Sequence, residues 1–321
     1  MQIDQKKARI WSRMGVRACY GMAMMEAVKR SANVLALSAD LGRSSGMKQL
    51  MEQHPERFVN CGIAEQNMVG VAAGLASEGY NVFASSFAPF ISMRASEQVR
   101  MNLGYMNLPV KLVALGSGVG MGFLGNSHFG LEDVSVMRAI PGLTVVCPAD
   151  CVEVFKVIDA CVDYDKPVYI RLTGGVNNPV VNQEDYDFQI GRSIELRRGR
   201  NVALLATGSM VAHALKVADR LEEEHSVRPT VINMHTIKPL DVQTLEGIYS
   251  NHGHVFTIEE HTVVGGLGSA VAEWAADKDH RVRHHLIGIE DCYVETGSYE
   301  YSLNAAGLSM NRLYERITAM L

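Results

Sequence analysis

The strongest constraint on the fold is a regular alternation of short β-branched runs with longer stretches of small residues. Val34-Leu35-Ala36-Leu37 precedes a predicted helix at residues 65–78, and Val82-Phe83-Ala84-Ser85 follows that helix. Such alternation is typical of a parallel sheet covered by helices. It continues with predicted helices at residues 94–103 and 151–163 and with predicted strands at residues 110–115, 144–146 and 168–171. The chain is therefore predicted to be an α/β protein.

A polar stretch around residues 177–187 interrupts this alternation. It contains Pro179 and several acidic residues, which is typical of a linker. The pattern then starts again, with further predicted strands at residues 202–206, 230–234, 254–258 and 283–289. We predict two doubly wound α/β domains, at residues 1–180 and 190–321.

Charge and cysteine content exclude several classes of partner and environment. The formal net charge is −5 and the basic residues are dispersed, so nucleic acid is not an expected partner. The six cysteines form no CxxC pair and no disulfide-dense spacing, which indicates reduced thiols and favours the cytoplasm. The polar N-terminal stretch lacks the pattern of an export signal, and no long apolar run predicts membrane insertion.

Glu65 is the first candidate for chemistry. It ends Gly62-Ile63-Ala64-Glu65, where a loop becomes a helix, and the first helical turn favours a carboxylate for structural reasons alone. The helix that follows carries glycine and alanine on every side at residues 69–76. Such a helix packs closely against a neighbour and draws Glu65 into a dry interface. A carboxylate in that setting can share a proton with a ring nitrogen.

Further candidates follow the next two predicted strands. Phe87 and Phe90 are three residues apart, and such a pair either packs in a core or forms a surface for a flat ring. Residues 116–122 form a glycine-rich loop, where glycines allow a ligand to approach the backbone. His128 lies further along the same loop, at the expected carboxyl edge of the sheet.

Other signatures of enzyme chemistry are missing. The remaining histidines show no metal-ligand spacing with cysteines or carboxylates, so no metal site is predicted within the chain. No nucleophile elbow, HExxH motif or P-loop is present. The hydrolase and kinase classes therefore lose their usual support.

In their order along the chain, these segments resemble the transketolase family, and in particular the separately encoded C-terminal subunit of a split transketolase. The resemblance rests on residues 62–65, Phe87 with Phe90, the glycine loop with His128, and the later segments 205–209 and 259–261. It covers nearly the whole chain. It implies a thiamin diphosphate pyrimidine-binding domain followed by a transketolase C-terminal domain.

The resemblance also implies residue roles. The family glutamate that matches Glu65 hydrogen-bonds the aminopyrimidine of thiamin diphosphate and promotes removal of the thiazolium proton. His128 matches a histidine that hydrogen-bonds the sugar near the reacting carbons, and it is assigned to catalysis together with Glu65. Arg17 and Ser44 match further substrate contacts. The matched cofactor contacts are Asp40, Leu41, Ile63, Glu65, Phe87 and Phe90.

The implied reaction is transfer of a two-carbon ketol unit from a ketose to an aldose. In the family, a Gly-Asp-Gly motif and a distant asparagine bind Mg²⁺ and the diphosphate, and this sequence lacks that element. Mg²⁺ requires hard oxygen ligands, so we expect an N-terminal partner subunit to supply them. The expected assembly is α₂β₂ with two shared cofactor sites, and the chain alone is expected to be inactive.

Four positions depart from the family pattern around the substrate. Gly174 and Gly116 stand where a phosphate-binding arginine and histidine are common. Leu124 replaces an aspartate, and Met93 replaces a third aromatic residue. Loss of a charged phosphate contact costs on the order of 1.5–3 kcal/mol. The substrate is therefore not necessarily a pentose phosphate, and Arg43 or a partner residue is a candidate to compensate.

Three alternatives stay open. The β subunit of the decarboxylating component of a 2-oxo acid dehydrogenase shares the domain order and the glutamate, and it would release CO₂ from a 2-oxo acid. A transketolase-like enzyme of specialised sugar metabolism would transfer an acyl group. A scaffold subunit would have no chemical need of Glu65, Phe90, Asp40 and His128 together. The second domain shows no candidate chemistry and is assigned to packing between subunits.

Overall fold

A computed structural model describes residues 3–321, so the first two residues of the predicted first domain lie outside it. The described part contains twelve strands. They are β1 (Val34–Ser38), β2 (Phe58–Asn60), β3 (Asn81–Phe87), β4 (Lys111–Ser117), β5 (Thr144–Val146), β6 (Val168–Thr173), β7 (Ile194–Arg197), β8 (Asn201–Ala206), β9 (Thr230–Asn233), β10 (Thr236–Lys238), β11 (His252–Thr262) and β12 (Arg283–Ile289).

Helices connect and cover these strands. The α-helices of the described residues are α1 (Gln5–Met14), α2 (Val16–Arg30), α3 (Lys48–Gln53), α4 (Glu65–Ser77), α5 (Ser96–Gln98), α6 (Asp133–Ala139), α7 (Cys151–Val162), α8 (Met210–His225), α9 (Val242–Asn251), α10 (Leu267–Ala275), α11 (Tyr299–Ala305) and α12 (Met310–Met320). Shorter helical turns lie at Pro55–Arg57 and Gly122–Ser127, and π-helical turns lie at Phe90–Arg94 and Val99–Tyr105.

The strands form two sheets, and parallel pairs predominate in both. The first sheet has the order β10-β5-β6-β4-β3-β1-β2, and the second has the order β12-β11-β8-β9-β7. Neither sheet is wholly parallel, because β10 pairs antiparallel with β5, and β7 pairs antiparallel with β9. The predicted α/β class is confirmed, with one antiparallel edge strand in each sheet.

Both faces of the first sheet are buried. Along β1, Leu35 and Leu37 belong to one apolar cluster, while Val34 and Ala36 belong to another. Successive side chains of a strand point to opposite faces, so the two clusters lie on opposite sides of the sheet. A strand buried on both faces reads as a continuous apolar run, which is the pattern that the sequence shows.

Strand β10 was not expected in the first sheet. It lies in the second half of the chain, yet Thr236 and Lys238 pair with Val146 and Val145 at the edge of the first sheet. Lys238 Nζ also donates to the carbonyls of Arg138 and Ile140, at 2.9 and 2.5 Å. Pairing with β10 covers an edge that would otherwise expose unpaired backbone groups. The two halves of the chain therefore share one sheet edge.

The helix predicted at residues 94–103 differs from the observed structure. Only Ser96–Gln98 is α-helical, with π-helical turns on either side. The wider turns rotate the side chains relative to a regular helix. The described residues contain no helix that combines the length and apolar character needed to cross a membrane.

Candidate active site

Most of the candidate residues meet at one edge of the first sheet. Strands β2, β1, β3 and β4 are neighbours in that order and run parallel. Their carboxyl ends therefore lie at the same edge, which is where ligands bind in open α/β sheets. The segments that leave this edge carry Asp40, Gly62, Phe90 and the glycine loop at residues 118–122.

Glu65 is the first residue of α4 and is buried, with 3% of its surface exposed. Its carboxylate has two polar partners, one in β3 and one in the π-helical turn that follows β3. Ser86 Oγ donates to Oε1 at 3.2 Å, and an Arg94 guanidinium nitrogen donates to Oε2 at 2.9 Å. A carboxylate offers about four lone-pair sites, so Glu65 keeps the capacity to accept a further hydrogen bond. The predicted burial of Glu65 is confirmed.

Three rings form a cluster beside this carboxylate. The ring centroids of Phe87 and Phe90 lie 6.1 Å apart, and that of His128 lies 5.8 Å from Phe87 and 5.2 Å from Phe90. All three contacts are edge-to-face, which is a favourable arrangement for aromatic rings. The side chains are half-buried, so part of each ring remains accessible. The cluster offers an apolar surface to a flat molecule.

Arg94 connects the carboxylate to the ring cluster. Its guanidinium carbon lies 4.3 Å from the centroid of the Phe90 ring. The same guanidinium is paired with the Glu65 carboxylate. Glu97, three residues further along the chain, pairs with Arg100 at 3.2 Å instead of with Arg94. Arg94 ends the π-helical turn at Phe90–Arg94, and the wider turn directs side chains differently from a regular helix.

His128 follows the short helical turn Gly122–Ser127. Its ring nitrogen Nδ1 lies 3.0 Å from Ser127 Oγ. This contact and the two phenylalanine rings hold the imidazole over the sheet edge. The structure therefore brings His128 together with Phe87 and Phe90, although His128 is far from both in the sequence.

Asp40 and Gly62 are joined by Asn60, a residue that the sequence did not single out. The Asn60 side-chain oxygen accepts hydrogen bonds from the backbone N–H of Asp40 at 3.1 Å and of Gly62 at 3.0 Å. Its amide nitrogen donates to Asp40 Oδ1 at 3.0 Å. Leu41 N–H donates to Ser38 Oγ at 3.0 Å, which fixes the start of the same turn. Asx side chains often hold turns in this way.

Arg17 reaches the ring cluster from the first turn of α2. Its guanidinium carbon lies 5.8 Å from the centroid of Phe87, and it donates to Met121 Sδ at 3.2 Å. Partial burial lowers the pKa of Arg17 from its usual value. Ser44 is exposed in the turn after Asp40, and the backbone of Gly46 in that turn packs against the Arg17 carbonyl. Arg17 and the Ser44 turn are thus neighbours.

Ile63 is strongly exposed, with 79% of its surface accessible. It lies on the loop that leads into Glu65. Covering a large apolar side chain in that position by a bound ring or a second chain is favourable, because it removes apolar surface from water. The residues present at this edge therefore fit a flat heterocycle: rings to stack on, an apolar contact, and a buried carboxylate that can bind a ring nitrogen.

Metal-ligand clusters are absent from the part of the chain that the structure describes. Within residues 3–321, no three His, Cys, Asp or Glu side chains are grouped so that they could hold a metal ion. The expectation that Mg²⁺ ligands come from a partner subunit stays a prediction.

The fold and the site define a two-sheet α/β protein with a cluster of rings beside a buried carboxylate. Residues 12–176 match the model of the transketolase pyrimidine binding domain, and residues 191–313 match that of the transketolase C-terminal domain. The chain belongs to the transketolase family, as the sequence predicted. Within that family it corresponds to the C-terminal subunit of a split transketolase.

Several relatives support this placement. The chain is 38% identical to a putative transketolase C-terminal section of Methanocaldococcus jannaschii, over 94% of this chain and 95% of the relative. It is 37% identical to a 6-deoxy-6-sulfo-D-fructose transketolase subunit of a Clostridium species, over 93% and 92% of the two chains. It is 33% identical to the 1-deoxy-D-xylulose-5-phosphate synthase of Prochlorococcus marinus, over 93% of this chain but 46% of that protein.

A solved structure shares the whole architecture. It is described as a split gene transketolase in the form of an inactive beta4 tetramer. It is 35% identical to this chain and superimposes with a TM-score of 0.83. The match covers 95% of this chain and 97% of that structure's chain. Both sheets of the present chain therefore occur together in another split-transketolase subunit.

Proposed function

We propose that this chain supplies the pyrimidine-binding half of a thiamin diphosphate-dependent ketol transferase. The observation that carries the proposal is the buried Glu65 carboxylate beside the rings of Phe87, Phe90 and His128. When bound, thiamin diphosphate would supply the nucleophilic carbon that ketol transfer requires. The chain's own residues bind and orient the aminopyrimidine and control the proton on it.

Glu65 is proposed to hydrogen-bond the pyrimidine ring nitrogen and to exchange a proton with it. Its burial excludes water from that hydrogen bond, and its pairing with Arg94 and Ser86 fixes the direction of the carboxylate. Phe87, Phe90 and Ile63 would contact the faces of the ring. The turn at Asp40 and Leu41 is proposed to line the same cofactor on the side of the substrate entrance.

The sugar is proposed to bind over the ring cluster. His128 would hydrogen-bond it near the reacting carbons, and Arg17 and Ser44 would contact its far end. Because the structure places Arg17 against Phe87, a positive charge lies close to the proposed cofactor site. An anionic group on the sugar would pair favourably with that charge.

The substrate is proposed to differ from the usual pentose phosphates. Gly174 has a φ of 96°, and a side chain there would collide with Asn178, so this backbone is shaped for glycine. Leu124 is 52% exposed and offers no polar atom to an acceptor hydroxyl. The Clostridium relative, whose name specifies a 6-deoxy-6-sulfo sugar, supports a family in which the anionic group of the sugar varies.

The chain is proposed to work only with an N-terminal partner subunit, in an α₂β₂ assembly. The relative named as a C-terminal section and the inactive beta4 tetramer support this proposal. The partner would contribute the diphosphate and Mg²⁺ site. The six unpaired cysteines support the cytoplasmic location that the sequence predicted.

The test is a ketol-transfer assay on this chain, on the N-terminal transketolase subunit of the same organism, and on their mixture. We expect activity only in the mixture, with thiamin diphosphate and Mg²⁺ present. Phosphorylated, sulfonated and unmodified sugars would be compared as donors and acceptors. Full activity of this chain alone would refute the proposal, and preferred use of xylulose 5-phosphate with ribose 5-phosphate would refute the altered substrate.

A second candidate is transfer of an acyl unit after decarboxylation of a 2-oxo acid. The similarity to 1-deoxy-D-xylulose-5-phosphate synthase favours it over the 2-oxo acid dehydrogenase alternative. The same mixture would be supplied with pyruvate and an aldose phosphate. Release of CO₂ faster than ketol transfer would establish the second candidate in place of the first.

A further inference from the structure

The glycine-rich loop after β4 already binds a carboxyl group, and that group belongs to the second half of the chain. Val119 N–H donates to Glu260 Oε1 at 2.9 Å. A Cβ on Gly118 would collide with the same carboxylate, so glycine is needed for the loop to approach so closely. Gly118 also pairs with Gly130 through two backbone hydrogen bonds of 2.9 and 3.0 Å. Glu260 therefore holds the base of the loop that carries His128.

Glu260 is anchored firmly in its own domain. It is 1% exposed, at the end of β11. Its Oε2 accepts hydrogen bonds from Ser209 Oγ at 2.5 Å and from Tyr299 Oη at 2.7 Å. Burial raises the pKa of Glu260, and these hydroxyl donors act in the opposite direction. Three elements of the second domain thus converge on one carboxylate, which reaches out to a single amide of the first domain.

A second contact holds the middle of the same loop. Asn126 Nδ2 donates to the carbonyl of Val294 at 2.9 Å, and Val294 N–H donates to Asn126 Oδ1 at 3.2 Å. Gly125 faces Thr296 so closely that a side chain on Gly125 would collide with it. This pairing lies two residues before His128. Both contacts of the loop cross from the first domain to the second.

We propose that Glu260 and Asn126 are positioning residues, through which the second domain holds His128 against Phe87 and Phe90. The inference gives the second domain a part in the site beyond packing between subunits. It rests on the proposed function only in so far as His128 contacts the sugar. A displacement of about 1 Å in a group that orients substrate can cost about a hundredfold in rate.

The experiment compares three variants in the complex with the partner subunit. Glu260→Ala removes the anchor, and Glu260→Gln keeps an acceptor for Val119 N–H. Glu259→Gln is the matched control. Glu259 is adjacent and equally buried, but it accepts hydrogen bonds from Leu267 N–H and Gly268 N–H, at 2.7 and 2.8 Å, within its own domain. A further variant, Asn126→Asp, replaces the donor to the Val294 carbonyl by a carboxylate oxygen, which repels that carbonyl, and it tests the proposal if Glu260→Ala does not fold.

Two readouts are needed. Hydrogen exchange of the amides in residues 116–130 should become at least tenfold faster in Glu260→Ala and Asn126→Asp, but not in Glu259→Gln. In the same two variants kcat/KM for the sugar should fall by about tenfold to a hundredfold, with an unchanged Kd for thiamin diphosphate. Glu260→Gln should keep most of the wild-type protection from exchange and most of the wild-type kcat/KM.

Unchanged exchange in Glu260→Ala, or in Asn126→Asp where Glu260→Ala does not fold, overturns the proposal. So does equal acceleration in Glu259→Gln, because the effect would then be a general loosening of the second domain. Hydrogen exchange is measured without substrate, so it tests the positioning role even if the wild-type complex shows no ketol transfer. Absence of ketol transfer would refute only the proposed function.

Discussion

Replacement of Glu65 by glutamine separates a chemical role from a structural one. Glutamine has nearly the same shape, so its amide can still pair with Ser86, but it cannot carry the negative charge or exchange the proton. The Arg94 side chain is 49% exposed and can return to water when its partner is neutral. A partly exposed ion pair is worth about 1 kcal/mol or less. We therefore expect the free energy of unfolding to fall by only about 1 kcal/mol.

The effect on catalysis should be much larger. Proton transfer by a positioned side chain contributes about 10²–10⁴-fold to a rate, equivalent to about 3–5 kcal/mol of transition-state stabilisation. The assay is steady-state ketol transfer by the complex of Glu65→Gln with the partner subunit, alongside urea unfolding of the variant and gel filtration of the complex. Glu97→Gln is the control, because Glu97 is an exposed acid that pairs with Arg100 on the neighbouring helical segment.

Three results would decide the matter. A rate at least a hundredfold below wild type, with the complex intact and the control active, supports the proton-transfer role. Wild-type activity of Glu65→Gln would refute it and favour a scaffold. Loss of the complex, or of several kcal/mol of stability, would also contradict the reasoning, since the residue would then be structural.

Two predictions concern the rest of the chain. Burial lowers the pKa of His235 from 6.5 to about 4, so the unfolded chain binds more protons between these values, and stability is lost as the pH falls from 6.5 towards 4. As the pH falls from 7.5 to 5.5, the free energy of unfolding of His235→Gln should therefore rise by about 1 kcal/mol relative to that of wild type, as measured by urea unfolding. A difference between the two proteins that does not change with pH would contradict this origin. Asp133 pairs with Arg171 at 2.9 Å, and both are buried. Asp133→Ala should lower the free energy of unfolding by about 3–5 kcal/mol, because it leaves a buried guanidinium without its partner, and a loss below 1 kcal/mol would show that the site relaxes.

Much of the fold could be predicted because it depends on local patterns. The apolar runs at β1 and β4 identify strands buried on both faces, and the loop-to-helix change at residues 62–65 places Glu65 at the start of α4. The common edge of the parallel strands then explains why Phe87 and the glycine loop lie together. These features follow from periodicity and topology.

Other features depend on contacts between distant parts of the chain. Strand β10 is three residues long and pairs across the two domains, so no periodicity marks it. The glycine loop was interpreted as a place for a ligand, yet its Val119 amide binds Glu260, which is 141 residues away. Arg94 pairs with Glu65, 29 residues away, and the π-helical turn that carries Arg94 leaves no signature in the sequence. In each of these places tertiary contacts override local rules.

The central claim is that this chain holds one half of a shared thiamin diphosphate site. Calorimetric titration of thiamin diphosphate in the presence of Mg²⁺, into this chain, into the N-terminal subunit and into their mixture, tests it directly. We predict stoichiometric, tight binding only in the mixture, and weaker binding when the mixture contains Glu65→Gln. Equal affinity of this chain alone and of the mixture would contradict the account.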